Sequence, residues 1–385
     1  MKRFSISLAL IAGLSGLGPL AAQDNNPYLS VQLEMKRAIK LGNQYLKSQQ
    51  HADGYWGDPT IPAFTALSLS AAVRDPGLDR SKPLPDWVQK GYTWLLGQQK
   101  DDGGIYGKGL ATYNTSTSIM ALLARGEKAD EPALLKARAF LVNQQTDWGT
   151  RDETDNKYDG GIGYGGTYAH SDLSNMHLAL EALYHSRAVA TDSGQGKQPE
   201  LDWSAALAFV SRCQNLEETN DQSWASNDKD NKGGFVYFPG DTKAGEQELP
   251  DGRTALRSYG SMSYAGLLSL VYADLDESDP RVAAVLKWLG NNYTLKENPG
   301  LGEQGLYYYY HAMAKSLAAA GVENLPVGDG KTADWRRDLA TRLVSSQRED
   351  GSWLNANSRW WENDPVLVTA YAVLTLEQIN STLPQ

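Results

Sequence analysis

The sequence predicts an all-α protein, an α/α toroid ((α/α)6 barrel) of six helix–glycine turn–helix repeats. Three observations predict it. Amphipathic segments ending on glutamine recur along the chain, each is followed by a Gly-rich turn carrying an aromatic, and each turn leads into a second, nearly continuous apolar stretch. Two-helix units cannot bury their apolar faces alone, so stacked copies closing into a ring give an outer and an inner layer.

The first unit, residues 31–74, holds LGNQYLKSQQ ending at Gln50, the turn DGYWG and the apolar run IPAFTALSLSAAV. The second, 84–126, repeats this as KGYTWLLGQQ to Gln99, DDGGIYG and TSTSIMALLA. The third, 131–191, reads KARAFLVNQQ to Gln145, then DGGIGYG and LSNMHLALEAL; the fourth, 200–276, reads AALAFVSRCQ to Gln214, then KGGFVYFPG and SMSYAGLLSLVYA. The fifth, 279–321, is a weaker copy, AVLKWLGNNY to Tyr293 followed by GLYYYYHAMAKSLAAAG. The sixth, 332–382, gives DLATRLVSSQ to Gln347, DGSWL and PVLVTAYAVLTLEQI. In each unit an aromatic or apolar pair precedes the register residue by four to five positions, which is helical spacing. The first helix of each unit is amphipathic, with Lys, Arg and Gln outward; the second is apolar nearly all round and rich in Ala, Ser and Gly, as an enclosed layer requires. Insertions fall in the third and fourth units, DETDNKYDGG after Asp152 and NDKDNKGG after Asn227.

Residues 1–22, with Lys2 and Arg3, an apolar run over 4–20 and Ala21-Ala22, read as a cleavable secretory signal peptide. That leaves 23–385 as one toroid domain in the periplasm or outside the cell. No later run approaches the ~20 apolar residues of a bilayer span, so no transmembrane segment is expected. A formal net charge of −10 with no Lys/Arg block argues against nucleic acid and against docking on anionic lipid. The lone Cys213 cannot form an internal disulfide, and its place beside the register glutamine makes it a packed thiol. The 20 Tyr and 11 Trp point to stacking surfaces or an aromatic cavity.

Lys90-Gly91-x-x-Trp94-Leu95-x-x-x-Gln99 with Gly104-Ile105-Tyr106, and Lys136-Ala137-x-x-Phe140-Leu141-x-x-x-Gln145, resemble the QW motif of squalene-hopene cyclases and the related prenyltransferase β-subunits. The resemblance covers essentially the whole chain after residue 22. It implies a toroid in which the glutamine amide ties a helix end, and a central cavity for an isoprenoid-like or other lipidic ligand. It also implies the class of any catalysis, a terpenoid-cyclase type of isomerase or intramolecular transferase.

Cyclases of this kind begin with an Asp-x-Asp-Asp cluster whose middle acid protonates an alkene. Laid on that pattern the chain offers Asp172-Leu173-Ser174-Asn175, followed by Met176-His177. Asp172 is kept while the proton donor becomes Ser174, whose hydroxyl cannot protonate a carbon–carbon double bond. Asp172 therefore reads either as a helix N-cap or as an acid at the cavity mouth. Asp364, ahead of Pro365 at a helix start, carries the same two readings, and the neighbouring Glu362 is the other acid candidate. Ser174, Asn175 and His177 are candidate ligand contacts, His177 having a buried, hydrogen-bonded alternative. In YYYYH, successive residues turn by 100°, so two of the four tyrosines line the cavity, assigned to Tyr308 and Tyr309, with His311 beside them. Trp360 and Trp361 are candidate stacking residues.

No cofactor is expected. The prenyltransferase zinc set of Asp, Cys and His has no counterpart, since His51, His170, His177, His185 and His311 show no ligand spacing. The DNK segments at Asp155 and Asp230 resemble calcium loops without the closing Glu, and read as solvated turns or weak Ca²⁺ sites. Three functions stay open: a terpenoid-cyclase-like enzyme, a non-catalytic binding module, and a polysaccharide lyase or glycoside hydrolase of (α/α)6 type.

Overall fold

The computed structural model describes residues 26–165, 170–192, 197–250 and 252–384; the expected signal peptide lies outside them. Six helix pairs follow one another: α1 (Leu29–Ser48) and α2 (Ala63–Arg74), α3 (Asp86–Leu96) and α4 (Ala111–Arg125), α5 (Glu131–Val142) and α6 (Leu173–His185). After the short α7 (Arg187–Asp192) come α8 (Trp203–Arg212) and α9 (Gly260–Tyr272), α10 (Pro280–Asn291) and α11 (Leu306–Ala319), α12 (Trp335–Ser346) and α13 (Pro365–Ser381). Two small antiparallel hairpins complete the described chain, β1 (Glu246–Glu248) with β2 (Thr254–Leu256) and β3 (Leu325–Pro326) with β4 (Thr332–Ala333).

The second helix of every pair packs on the second helix of the next, and α13 returns onto α2, so the inner ring closes into an all-α toroid. The sequence dictates which helix goes inside. In α2 every residue from Ala63 to Val73 is buried, and α9 and α13 are buried almost throughout, whereas α1 and α3 bury one stripe. A helix without a polar face is stable only when enclosed on all sides. Its serines and threonines survive there by donating to the carbonyl one turn back: Ser68 to Phe64 at 2.8 Å, Ser118 to Asn114 at 2.7 Å, Ser269 to Ala265 at 2.8 Å.

The recurring glutamine is the joint between units. Gln99 Nε2 donates to Gly103 O in its own turn at 2.9 Å and to Ala133 O in the first turn of the next outer helix at 2.8 Å. Gln50, Gln145 and Gln214 make the same pair of bonds, to Gly54 and Trp87, to Gly160 and Asp202, and to Gly233 and Arg281. Gln347 closes the ring, donating to Gly351 O at 2.9 Å and, across to the first helix, to Ala38 O at 3.0 Å. In the divergent fifth unit Tyr293 bridges instead, its hydroxyl donating to Asp338 on α12 at 3.0 Å. The turn glycine is required at the same joint: Gly103 has φ 91°, and a Cβ there would lie 2.5 Å from Lys136 O of the next helix.

Cys213 is fully buried at the end of α8, as a packed thiol. In the two DNK loops Asp155 accepts from Thr150 N–H at 2.9 Å and Asp230 pairs with Lys229 at 2.8 Å, so the loops use these carboxylates themselves. Arg212 ties the turns of the third and fourth units together, donating to Asp221 in the fourth and to the carbonyls of Asn156 and Thr154 in the third.

Candidate functional site

The inner helices run parallel, because their N-terminal residues meet in one cavity and their C-terminal halves in another. The upper chamber has an empty volume of about 1260 Å³ including its mouth and is lined by Tyr113, Ser174, Asn175, Met262, Tyr308 and Leu367 from the helix starts. Tyr164, Tyr237, Lys243 and the segment 359–362 complete it from the loops. The lower chamber, whose empty space of about 680 Å³ includes open solvent at its rim, lies between the C-terminal halves, with Arg74, Met120, Glu181 and Lys315 on its wall.

Three tyrosines, Tyr113, Tyr308 and Tyr371, belong to both chambers and form a septum between them. Tyr113 and Tyr371 join hydroxyl to hydroxyl at 3.0 Å, and Tyr308 OH meets His177 Nε2 at 3.2 Å. His177 Nδ1 faces Leu173 O at 3.1 Å. A carbonyl can only accept, so Nδ1 carries the proton and Nε2 accepts from Tyr308, a neutral tautomer assigned from its partners. Burial, with the Lys315 charge second, holds the imidazole down to about 4, so it stays neutral at physiological pH. Burial pushes the Tyr113 phenol up to about 12 and Tyr308 higher still. Ser174 also hydrogen-bonds Tyr308 OH, giving a chain from Ser174 through Tyr308 to His177.

The acid candidates sit differently from the reading of the sequence. Asp172 is fully buried and caps α6: Oδ1 accepts from Asn175 N at 2.9 Å, and both oxygens accept from Asn175 Nδ2, at 3.0 and 2.9 Å. It stands behind Asn175 and does not line the chamber. Burial outweighs these bonds and raises its pKa to about 7. Asp364 caps α13, accepting from Val366 N at 2.8 Å, and is likewise off the chamber wall, so the structure does not support its placement as a cavity acid. Glu362 does line the chamber, but its oxygens are occupied. Oε1 accepts from Tyr308 N at 2.8 Å, and Oε2 from Tyr307 N at 3.2 Å and Asn355 Nδ2 at 2.7 Å. The carboxylate thus seals the N-terminus of α11, and burial raises its pKa.

Of the two tyrosines assigned to the wall, Tyr308 lines it and Tyr309 does not. Tyr309 turns outward against Tyr264, ring centroids 5.5 Å apart, and donates to Thr294 O at 2.9 Å. The 100° step puts it on the side of α11 that faces the outer layer. Trp360 and Trp361 stand at the mouth, 38% and 48% exposed, both in left-handed backbone conformations (φ 54° and 61°), with Arg359 over the Trp360 ring. His311 faces the lower chamber, away from Ser174 and Asn175.

Sequence reasoning missed Tyr113, Tyr371, Tyr164, Tyr237 and Tyr259 on the upper wall, since single tyrosines scattered over inner helices, helix starts and glycine-rich turns carry no pattern. It also missed the buried ion pair of Glu181 with Lys315. A signal for that pair exists: each is the one charged residue in the core of its inner helix, four residues after a histidine, His177 and His311.

No family model matches the chain. A probable squalene–hopene cyclase of Sinorhizobium fredii is 28% identical over 139 residues, which are 31% of this chain and 20% of that protein. The type II terpene cyclase MstE of Scytonema superposes with a TM-score of 0.52 over 91% of this chain and 99% of its own, at 13% identity. A variant of it with geranylgeranyl dihydroxybenzoate bound gives 0.53 over 92% and 99%, at 12% identity. A possible GH105 member from Salmonella enterica gives 0.52 over 91% and 94%, at 11% identity. At such identities the structural likeness is one of fold. The chain has an all-α toroid fold like that of these structures.

Proposed function

We propose that the protein holds an isoprenoid-like or similarly lipidic molecule in the upper chamber, as an exported unit comprising residues 23–385, and that it does not run an acid-initiated cyclisation at the Asp172–Asn175 segment. The observation that carries this reading is the chamber wall itself. Tyrosine rings, the septum, Met262 and Leu367 line a space of about 1260 Å³ including its open mouth, while the lining carboxylate, Glu362, is spent on backbone N–H groups. Aromatic walls favour flat or unsaturated hydrocarbon, which loses water against them. Proton transfer to an alkene would need a protonated acid free to point into the chamber. Ser174 stands at the corresponding place, and Asp172 is masked by Asn175. The related fold that holds geranylgeranyl dihydroxybenzoate supports the ligand class.

A polar end of the ligand has a partner. Asn175 lines the chamber, and its Oδ1 has no hydrogen-bond partner among the described residues. A ligand hydroxyl donating to that oxygen would satisfy it. The test is organic extraction of the purified protein with mass spectrometry of what co-purifies, followed by titration of geranylgeraniol against tryptophan fluorescence from Trp360 and Trp361. Recovery of isoprenoid or other lipid and saturable quenching are expected. Recovery of oligosaccharide with no lipid, and quenching by oligosaccharide instead, would overturn the reading in favour of a glycan-active toroid. Cyclised product formed by the parent protein and lost in Asp172→Asn would overturn the non-cyclising part.

A further inference from the structure

The lower chamber is separated from the proposed lipid site by the tyrosine septum, and its chemistry is different. Its upper end is aromatic, one side is apolar with Leu67, Leu178, Leu268 and Leu374, and the remaining wall is polar. That polar wall is rich in donors. Lys315, partly buried, is paired with the buried Glu181, so this couple is neutral as a unit. Arg74, at the lower rim, makes no hydrogen bond or ion pair among the described residues. Glu377 lies near it on α13, where burial raises that carboxyl well above its ordinary value and the Arg74 charge opposes the rise.

Two further groups on this wall lack partners. Ser116 Oγ and His311 Nδ1 are buried, 1% and 9% exposed by residue, with no hydrogen-bond partner among the described residues. Buried polar atoms are seldom left unpaired. A cation, a hydroxyl and an imidazole around one cavity, with the wall's carboxylate already matched, ask for an acceptor-rich, negatively charged guest.

We propose that the lower chamber is a second binding site, for a small organic carboxylate whose carboxyl group meets Arg74, Ser116 and His311 and whose hydrocarbon body lies on the leucine wall. The apolar side selects an amphiphile over a bare inorganic anion, and the septum keeps this guest apart from whatever fills the upper chamber. The inference does not rest on the isoprenoid reading.

Isothermal titration of the purified protein with sodium hexanoate, hexanol and inorganic phosphate tests it. Hexanoate is expected to bind and to raise the melting temperature, while hexanol and phosphate do not bind measurably. Arg74→Gln, on an exposed side chain that the core does not need, should weaken hexanoate about tenfold, the loss of one charge-assisted contact. Ser116→Ala should weaken it by less. Tryptophan fluorescence from the upper mouth should not respond, so failure here and failure of the upper-site reading are read separately. Equal binding of hexanol and hexanoate, phosphate binding without hexanoate, or unchanged hexanoate affinity in Arg74→Gln would each overturn the proposal.

Discussion

Replacing Asp172 by Asn tests whether the α6 cap is held in the folded protein as a carboxyl group poised near neutrality. The buried carboxyl has its pKa raised from 3.8 to about 7, chiefly by loss of water. A raised carboxyl pKa means the folded state binds its proton more tightly than the unfolded chain does. Between pH 4 and 7 the native protein therefore holds more protons at this site, and stability falls as pH rises through that window. A shift of about three units corresponds to on the order of 4 kcal/mol of lost stability once pH exceeds 7. Asn keeps a side-chain oxygen for Asn175 N–H and is an equally good N-cap, so the bond that starts the helix survives while the titration is removed. Urea denaturation of both proteins at pH 4.5, 5.5, 6.5 and 7.5 isolates the site, because every other carboxyl cancels in the difference. The difference in unfolding free energy should shift progressively in favour of Asp172→Asn as pH rises, and level off above about pH 7. A difference independent of pH, or one that moves in favour of the parent protein with rising pH, would refute the reasoning. It would mean that the two N–H donors and the Lys243 charge outweigh burial.

Glu362→Ala removes three hydrogen bonds at the start of α11 and should cost about 3 kcal/mol in chemical denaturation, water from the chamber replacing part of what is lost. Gln347→Ala opens the joint between the last and first units and should cost about 2 kcal/mol, whereas Gln49→Ala, at the exposed residue beside Gln50, should stay within about 0.5 kcal/mol. Tyr308→Phe breaks the link to His177 and should change geranylgeraniol affinity measured by fluorescence. Tyr309→Phe should leave that affinity unchanged while lowering stability by about 1 kcal/mol through the lost bond to Thr294.

The toroid was legible because its determinants are periodic. A glutamine that must reach two carbonyls in consecutive units, and a glycine pressed against the next helix, recur at the same register in every strong copy, so counting finds them. Which tyrosine faces inward is not periodic in that sense. It depends on the rotation of α11 about its own axis, fixed by the contacts of Tyr309 with Tyr264 and Thr294 far along the chain, and Tyr308 and Tyr309 are indistinguishable until those contacts exist. The lower chamber escaped for a related reason: Arg74, Ser116 and His311 come from three different inner helices, and only ring closure brings them together.

The fate of the acid candidates follows from the ring's polarity. With the inner helices parallel, their free N–H groups and positive dipole ends gather at the upper chamber, and each can capture a nearby carboxylate. Asp172, Asp364 and Glu362 are all spent in this way, two on their own helix and one on its neighbour. An acid at the mouth of such a toroid becomes a proton donor only where more carboxylates are present than the helix ends consume, since the surplus group is then the one kept protonated by its neighbours. A cluster of three acids at the start of α6 would meet that condition, whereas Asp172 followed by Ser174 and Asn175 leaves one carboxylate for one helix end. Set against such a cluster, Ser174 and Asn175 change more than the donor, for the start of α6 is a cap that presents Asn175 to the chamber.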